Sequence, residues 1–224
     1  CCFADLDLKQ QGVIEDFQLL FYIIQPPTPE RVKYDIFDRV NRGGTPLNKQ
    51  EMRNALYRGR CTRMLDKLCC SPEFLIATGR SINKERMKDQ YVVLRAMAFL
   101  MLHRGEFKDI PALQYRGDID DFLARFMVYV NDNAPEKLIV DYENLFIRCM
   151  QISYDLLGEN GFRFSGNGIR RPINMPLFEA LSYLFSFVPE KIDYTWASRL
   201  ILDIESVKEE FDDSRYFSGN IDST

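Results

Sequence analysis

The chain is poor in histidine and tryptophan: its 224 residues include one of each, His103 and Trp196. Structural zinc sites draw on four well-spaced Cys or His ligands. The six cysteines stand at 1, 2, 61, 69, 70 and 149, with no Cys-x-x-Cys pair among them. With a single imidazole that pattern is missing, and no metal ligands are assigned. Cys1–Cys2 and Cys69–Cys70 are adjacent pairs, which make poor disulfide scaffolds. No secretory leader pattern opens the sequence, so reduced thiols in a cytoplasmic protein are the expectation. Apolar runs stop well short of the ~20 residues that span a bilayer, and no membrane partner is expected. An overall basic excess is also lacking. The balance of 29 Lys+Arg against 33 Asp+Glu gives a net charge of −4. That excludes a surface coated throughout for nucleic acid and leaves room for a local patch.

What remains is an ordinary globular composition, 46% hydrophobic and 28% charged, long enough for one or two domains with a sizeable core. Phe17 to Ile24 (F-Q-L-L-F-Y-I-I), bounded by Gln25-Pro26-Pro27, reads as a short buried strand with no partner strand in the chain, a helix being the alternative. From Thr28 onward the pattern is helical. Thr28-Pro29 opens a helix to about Val40, with Val32, Ile36, Phe37 and Val40 on one face. Further helices are expected over 61–70, from Ser71 to about Gly79, over 84–104 after an Asn83 cap, from Asp118 to before Pro135, and over 136–157. Two more follow, from Asn174 to about Phe187 and from Asp193 to about Phe211. The fold class is therefore mainly α, a multi-helix bundle with one short remnant β-strand near the N-terminus.

The densest punctuation lies at Phe37–Gly59, F-D-R-V-N-R-G-G-T-P-L-N-K-Q-E-M-R-N-A-L-Y-R-G. It reads as a helix end, a twin-glycine turn and a second, well-capped helix. Asn48 is the N-cap, and Glu51 three residues later completes a capping box. Gly43 and Gly44 permit positive φ, and consecutive N–H groups in such a turn can form an anion-binding nest. Around the turn lies a basic island. Residues 39, 42, 49, 53, 58, 60, 63 and 67 are Lys or Arg, against the two acids Glu51 and Asp66.

This stretch resembles the second signature of the GmrSD-type restriction-system family, in its GmrS-like, ParB/sulfiredoxin-like N-terminal domain. The shared pattern is F-x-R-x-N-x-G-G-x-x-L-x-x-Q-E-x-R-N. Phe37, Arg39, Asn41, Gly43, Gly44, Leu47, Gln50, Glu51, Arg53 and Asn54 match it. R-P-I-N-M-P-L-F-E-A-L (171–181) and the tail near S-G-N-I-D-S-T also resemble the helical part of such proteins. The family's upstream Asp-Gly-Gln-Gln-Arg motif is not in this sequence, so the chain is expected to start after it. The resemblance implies that 1–59 is the C-terminal part of a ParB-like domain and 60–224 a helical domain.

The implied function is a share in a DNA-targeting, modification-dependent defence protein. The full-length protein would use GTP or ATP with Mg, DNA that is modified or plain, and an HNH-type nuclease domain or subunit. No cofactor is evident in this chain, an oligomer is compatible with it, and no turnover is expected from it alone. Arg39, Asn41, Arg42, Gly43 and Gly44 become the nucleotide- or phosphate-binding candidates. Arg suits phosphate through its planar fork. Arg53, Arg58, Arg60, Arg63 and Lys67 become candidates for contact with the DNA backbone. Catalytic residues are not assigned.

Each reading has a plainer rival. The glycines can simply stop a helix, and a basic helix face is commonly just solvated. His103 has no Ser/Cys–His–Asp context and reads as a capping or packing residue, and a lone histidine does not supply an HNH module. The Gly158–Arg171 loop reads as a connector, with Arg163, Arg170 and Arg171 able to touch phosphate. Trp196, Phe178 and Tyr183 read as core. The whole-chain alternative is a non-catalytic helical module that docks protein or DNA.

Overall fold

The computed structural model of the chain describes residues 2–18, 20, 21, 23, 25, 32, 35–37, 39, 46–164, 170–189, 191 and 193–214. Two compact units divide the chain, Cys1–Thr45 and Pro46–Thr224. Residues 46–59, grouped with the first domain on sequence, thus belong to the larger unit. Among the described residues the regular structure is helical and none of it is strand.

In the first unit, a 3-10 turn (Phe3–Asp5) leads to α1 (Leu8–Glu15). Asp7 caps α1 by accepting from the Gln10 N–H at 2.8 Å, yet no residue of α1 is buried. The buried strand expected over 17–24 is not found. Phe17, Leu20, Phe21 and Ile23 are exposed and outside any ladder, while 19, 22 and 24 lie outside the described residues. A strand without a neighbour has nowhere to direct its N–H and C=O groups except water. Residues 32, 35–37 and 39 are helical, as expected for 28–40, but Val32 and Ile36 on the supposed inner face are exposed.

The larger unit carries the core. Its helices are α2 (Lys49–Leu56), α3 (Arg60–Cys69), α4 (Pro72–Ala77), α5 (Lys88–His103), α6 (Ile119–Asp132), α7 (Glu136–Leu157), α8 (Met175–Phe185) and α9 (Tyr194–Ser214). Local caps set most starts. Ser71 Oγ accepts from Phe74 N–H, Asp118 from Asp120 and Asp121, Asn174 from Leu177, and Asp193 from Thr195. Each side-chain oxygen satisfies a first-turn donor that the helix cannot satisfy itself. Gly158, at φ 63°, ends α7.

The helix α5 lies at the centre and packs against α3, α6, α7 and α8. Val92, Val93, Leu94, Ala96, Met97, Ala98, Leu100 and Met101 are all buried, so the helix is apolar nearly all round. Rings fill the space between α4, α7 and α8. Phe74 lies 6.1 Å from Phe146 and 6.3 Å from Phe178, and Phe162 lies 4.4 Å from Phe178. Burying a side chain of this size stabilises the fold by about 1.5–3 kcal/mol. Phe178 is core as expected, Tyr183 is half-buried, and Trp196 is 42% exposed. Trp196 sits near the start of α9, a helix that contributes only Ile204 to the buried apolar set.

Candidate phosphate and DNA-contact site

The helix α2 forms where the sequence places it. Asn48 Oδ1 accepts from the N–H groups of Gln50 and Glu51 at 2.8 and 2.9 Å, and Glu51 Oε2 accepts from the Asn48 N–H at 2.7 Å. The capping box is complete. The residues behind it then turn inward.

Arg53 is 1% exposed. Its Nε donates to Gln50 Oε1 at 3.0 Å and its Nη1 to Asp120 Oδ1 at 2.9 Å, and its guanidinium lies 5.6 Å from the Tyr91 ring centre. Lys49 also pairs with Asp120. Burial alone would raise the Asp120 carboxyl, but hydrogen bonds and charge from Lys49 and Arg53 outweigh it and hold the group below its ordinary value. Gln50 Nε2 donates to Asn54 Oδ1 at 2.8 Å, and Asn54 Nδ2 donates to Gln90 Oε1 and to the Met87 sulfur. Gln90 Nε2 donates in turn to Asp66 at 2.7 Å. Gln50, Arg53 and Asn54 therefore tie α2 to α5 and α6 through their side chains.

That geometry corrects the expectation for Arg53. A guanidinium buried against an aspartate and a ring has no surface to offer a DNA backbone. Arg60 is also spent internally. Its guanidinium donates to the carbonyls of Val130, at 2.7 Å, and Ala134, so it caps the C-terminal end of α6. Lys67 is exposed but pairs with Glu143 across α3 and α7. Arg58 and Arg63 are exposed, and no side-chain hydrogen bond or ion pair engages them among the described residues. Of the five DNA-contact candidates, these two alone combine exposure with an uncommitted guanidinium.

Among the phosphate candidates, Arg39 is helical and exposed. Asn41, Arg42, Gly43 and Gly44 lie outside the described residues. The Gly158–Arg171 arginines are committed: Arg163 donates to Thr78 O, Ser81 Oγ and Arg171 O, Arg170 pairs with Glu159, and Arg171 with Asp212. His103 stacks on Phe99 at 6.0 Å and lies 5.4 Å from Tyr183, the packing role expected of it.

The corner between α2 and α3 is held by Asn131. Its Oδ1 accepts from the Cys61 N–H at 2.8 Å and its Nδ2 donates to the Tyr57 carbonyl at 2.9 Å. The approach is so close that a Cβ on Gly59 would lie 2.6 Å from Asn131 Oδ1. Asn131 and Asp120 both matter here, and sequence reasoning missed both. Asp120 was visible only as part of a helix start, and its pairing with Arg53 bridges 67 residues.

Candidate nucleophiles are muted. Burial pushes the Cys61 and Cys149 thiols up to about 12 and raises Cys69 further. Cys2 and Cys70 are the exposed thiols among the described residues. No group of three or more His, Cys, Asp or Glu side chains among the described residues is placed to hold a metal ion, and no helix among them is long and apolar enough to cross a membrane. Compared with protein-family models, curated proteins and solved structures, the chain matches none.

Proposed function

We propose that this chain is the phosphate-binding and helical part of a DNA-targeting defence protein of the GmrSD type, with no turnover of its own. The observation that supports this reading is the division of labour within one motif. After the twin glycines, Gln50, Arg53 and Asn54 are interlocked through their side chains, while Arg39 before them is exposed with no partner among the described residues. Arg39 and Asn41, with Arg42, Gly43 and Gly44, supply charge-assisted and backbone donors to a nucleotide phosphate. Arg58 and Arg63 supply sequence-independent contacts to DNA.

Thermal shift of the full chain with GTP or ATP and Mg tests the first part, because a ligand bound only by the native state raises the apparent melting temperature. A shift abolished by Arg39→Ala or Asn41→Ala supports the site; a shift indifferent to both removes it. Duplex binding by the Arg58→Ala/Arg63→Ala pair tests the second part. Affinity and the slope of log K against log salt should both fall, by about one unit of slope per lost phosphate contact.

A second reading, a non-catalytic helical module that docks a protein, is favoured by the internal engagement of Arg53, Arg60 and Lys67 and by exposed apolar residues of α9, including Trp196 and Leu202. The absence of any nucleotide shift together with salt-independent behaviour would select it.

A further inference from the structure

The helix α5 does not begin where its sequence pattern does. Helical character was expected from residue 84, yet a 3-10 turn (Glu85–Met87) intervenes and α5 proper starts at Lys88. Arg86 and Met87 sit in the left-handed region at φ 57°, ψ 29° and φ 58°, ψ 31°. Glycine and asparagine visit this region readily; arginine and methionine do not, because Cβ crowds the following carbonyl. Two such residues in succession need an external reason.

Arg80, the other non-glycine residue at positive φ among the described residues, has an ordinary one. It closes the C-terminal turn of α4 through its N–H to Leu75 O at 2.8 Å. At Arg86 the reason lies in the side chains. Its Nη2 donates to Pro46 O at 2.6 Å and to Glu51 Oε2 at 3.0 Å, and its Nε reaches the same oxygen at 3.3 Å. Its carbonyl accepts from Asn48 Nδ2 at 2.7 Å. Four hydrogen bonds from one residue therefore grip Pro46, Asn48 and Glu51, the segment that opens α2. The same Asn48 and Glu51 form the capping box, so cap and grip share atoms. Asn54 adds a contact to the Met87 sulfur at 3.1 Å.

We propose that Arg86–Met87 is a strained clasp, a two-state junction between the start of α2 and the start of α5. Closed, the side-chain bonds to Pro46, Asn48 and Glu51 hold both residues left-handed. Released, the backbone relaxes to right-handed helix and α5 grows toward residue 84. The first-turn N–H groups of Lys88, Asp89 and Gln90 then gain main-chain acceptors at residues 84–86. Gln90 now donates to the Asp89 carboxylate instead, at 2.8 Å. Movement of Pro46–Glu51 is thereby tied to the length of the central helix. The clasp uses contacts inside the larger unit alone, so its failure would leave the phosphate reading untouched.

Hydrogen exchange of the full chain, followed by mass spectrometry, tests it. Arg86→Ala removes the three guanidinium bonds of the grip, leaves the carbonyl that accepts from Asn48, and keeps the Cβ that makes the turn strained. Losing charge-assisted hydrogen bonds should speed exchange of the amides of residues 49–53 about tenfold. The same change should slow exchange at residues 88–90. Glu51→Gln, which leaves Arg86 in place, should do both to a smaller extent. Arg86→Gly also removes the three guanidinium bonds but tolerates positive φ, so it should speed exchange at 49–53 with a weaker gain of protection at 88–90. The opposite signs at the two segments are the mark of a clasp. An ordinary surface ion pair would speed exchange at both, and that outcome, or no change at 88–90 in Arg86→Ala, overturns the proposal.

Discussion

Arg53 and Arg39 belong to one short motif and live in opposite surroundings. Arg53 is enclosed by Gln50, Asp120 and the Tyr91 ring, whereas Arg39 is exposed with no committed partner among the described residues. The same contrast runs through their neighbourhoods. The larger unit buries side chains from nearly every helix, while α1 of the first unit buries none. A residue type within a motif therefore does not announce its job. Two arginines close in sequence divide into one enclosed in the fold and one exposed, with no partner among the described residues.

The contrast is most sharply broken by Arg53→Ala. It removes the buried guanidinium from Gln50, Asp120 and the Tyr91 ring, while Lys49 still pairs with Asp120, and should destabilise the chain by about 1.5–3 kcal/mol, read as a lower urea midpoint at unchanged slope. Arg53→Lys should recover little of that, because an ammonium lacks the planar fork that spans Gln50 and Asp120 and stacks on Tyr91. Gly59→Ala comes next. The added Cβ collides with Asn131 and should cost about 1–3 kcal/mol in the same assay.

Asp120→Asn separates charge from shape. The Asp120 carboxyl is held below its ordinary value of 3.8 in the folded chain. Its contribution is therefore present above that value and lost as pH falls through the lower folded pKa. Stability curves of wild type and Asp120→Asn should differ at neutral pH and converge in acid; parallel curves would show that the charge is idle. Arg39→Ala stands at the small end. It should leave the melting temperature unchanged while removing any nucleotide-induced shift, and a large loss of stability would place Arg39 with Arg53.

Much of the helical layout was legible because its signals are local. Asn48, Ser71, Asp118, Asn174 and Asp193 each cap the helix their position announces, since a cap needs a side chain and a backbone only two or three residues away. The aromatic and aliphatic run of α5 likewise predicts its central burial. The misses are nonlocal. Nothing near Arg86 and Met87 marks a left-handed turn, because the contacts that hold it come from residues 46–51. The inward turn of Arg53 depends on Asp120, far along the chain. The expected strand at 17–24 had the right residues but no neighbour to pair with. The phosphate reading is legible as a motif only, with Arg39 its one described member.

The distribution of sulfur gives the molecule a built-in clock. Among the described residues, Cys61 and Cys69 sit on α3 and Cys149 on α7, all sealed in the core, while Cys2 and Cys70 face water. An alkylating reagent should mark the outer two within moments and reach the inner three as their helices part. Time-resolved tagging at these three sulfurs would thus reveal whether α3 and α7 come apart together or in sequence.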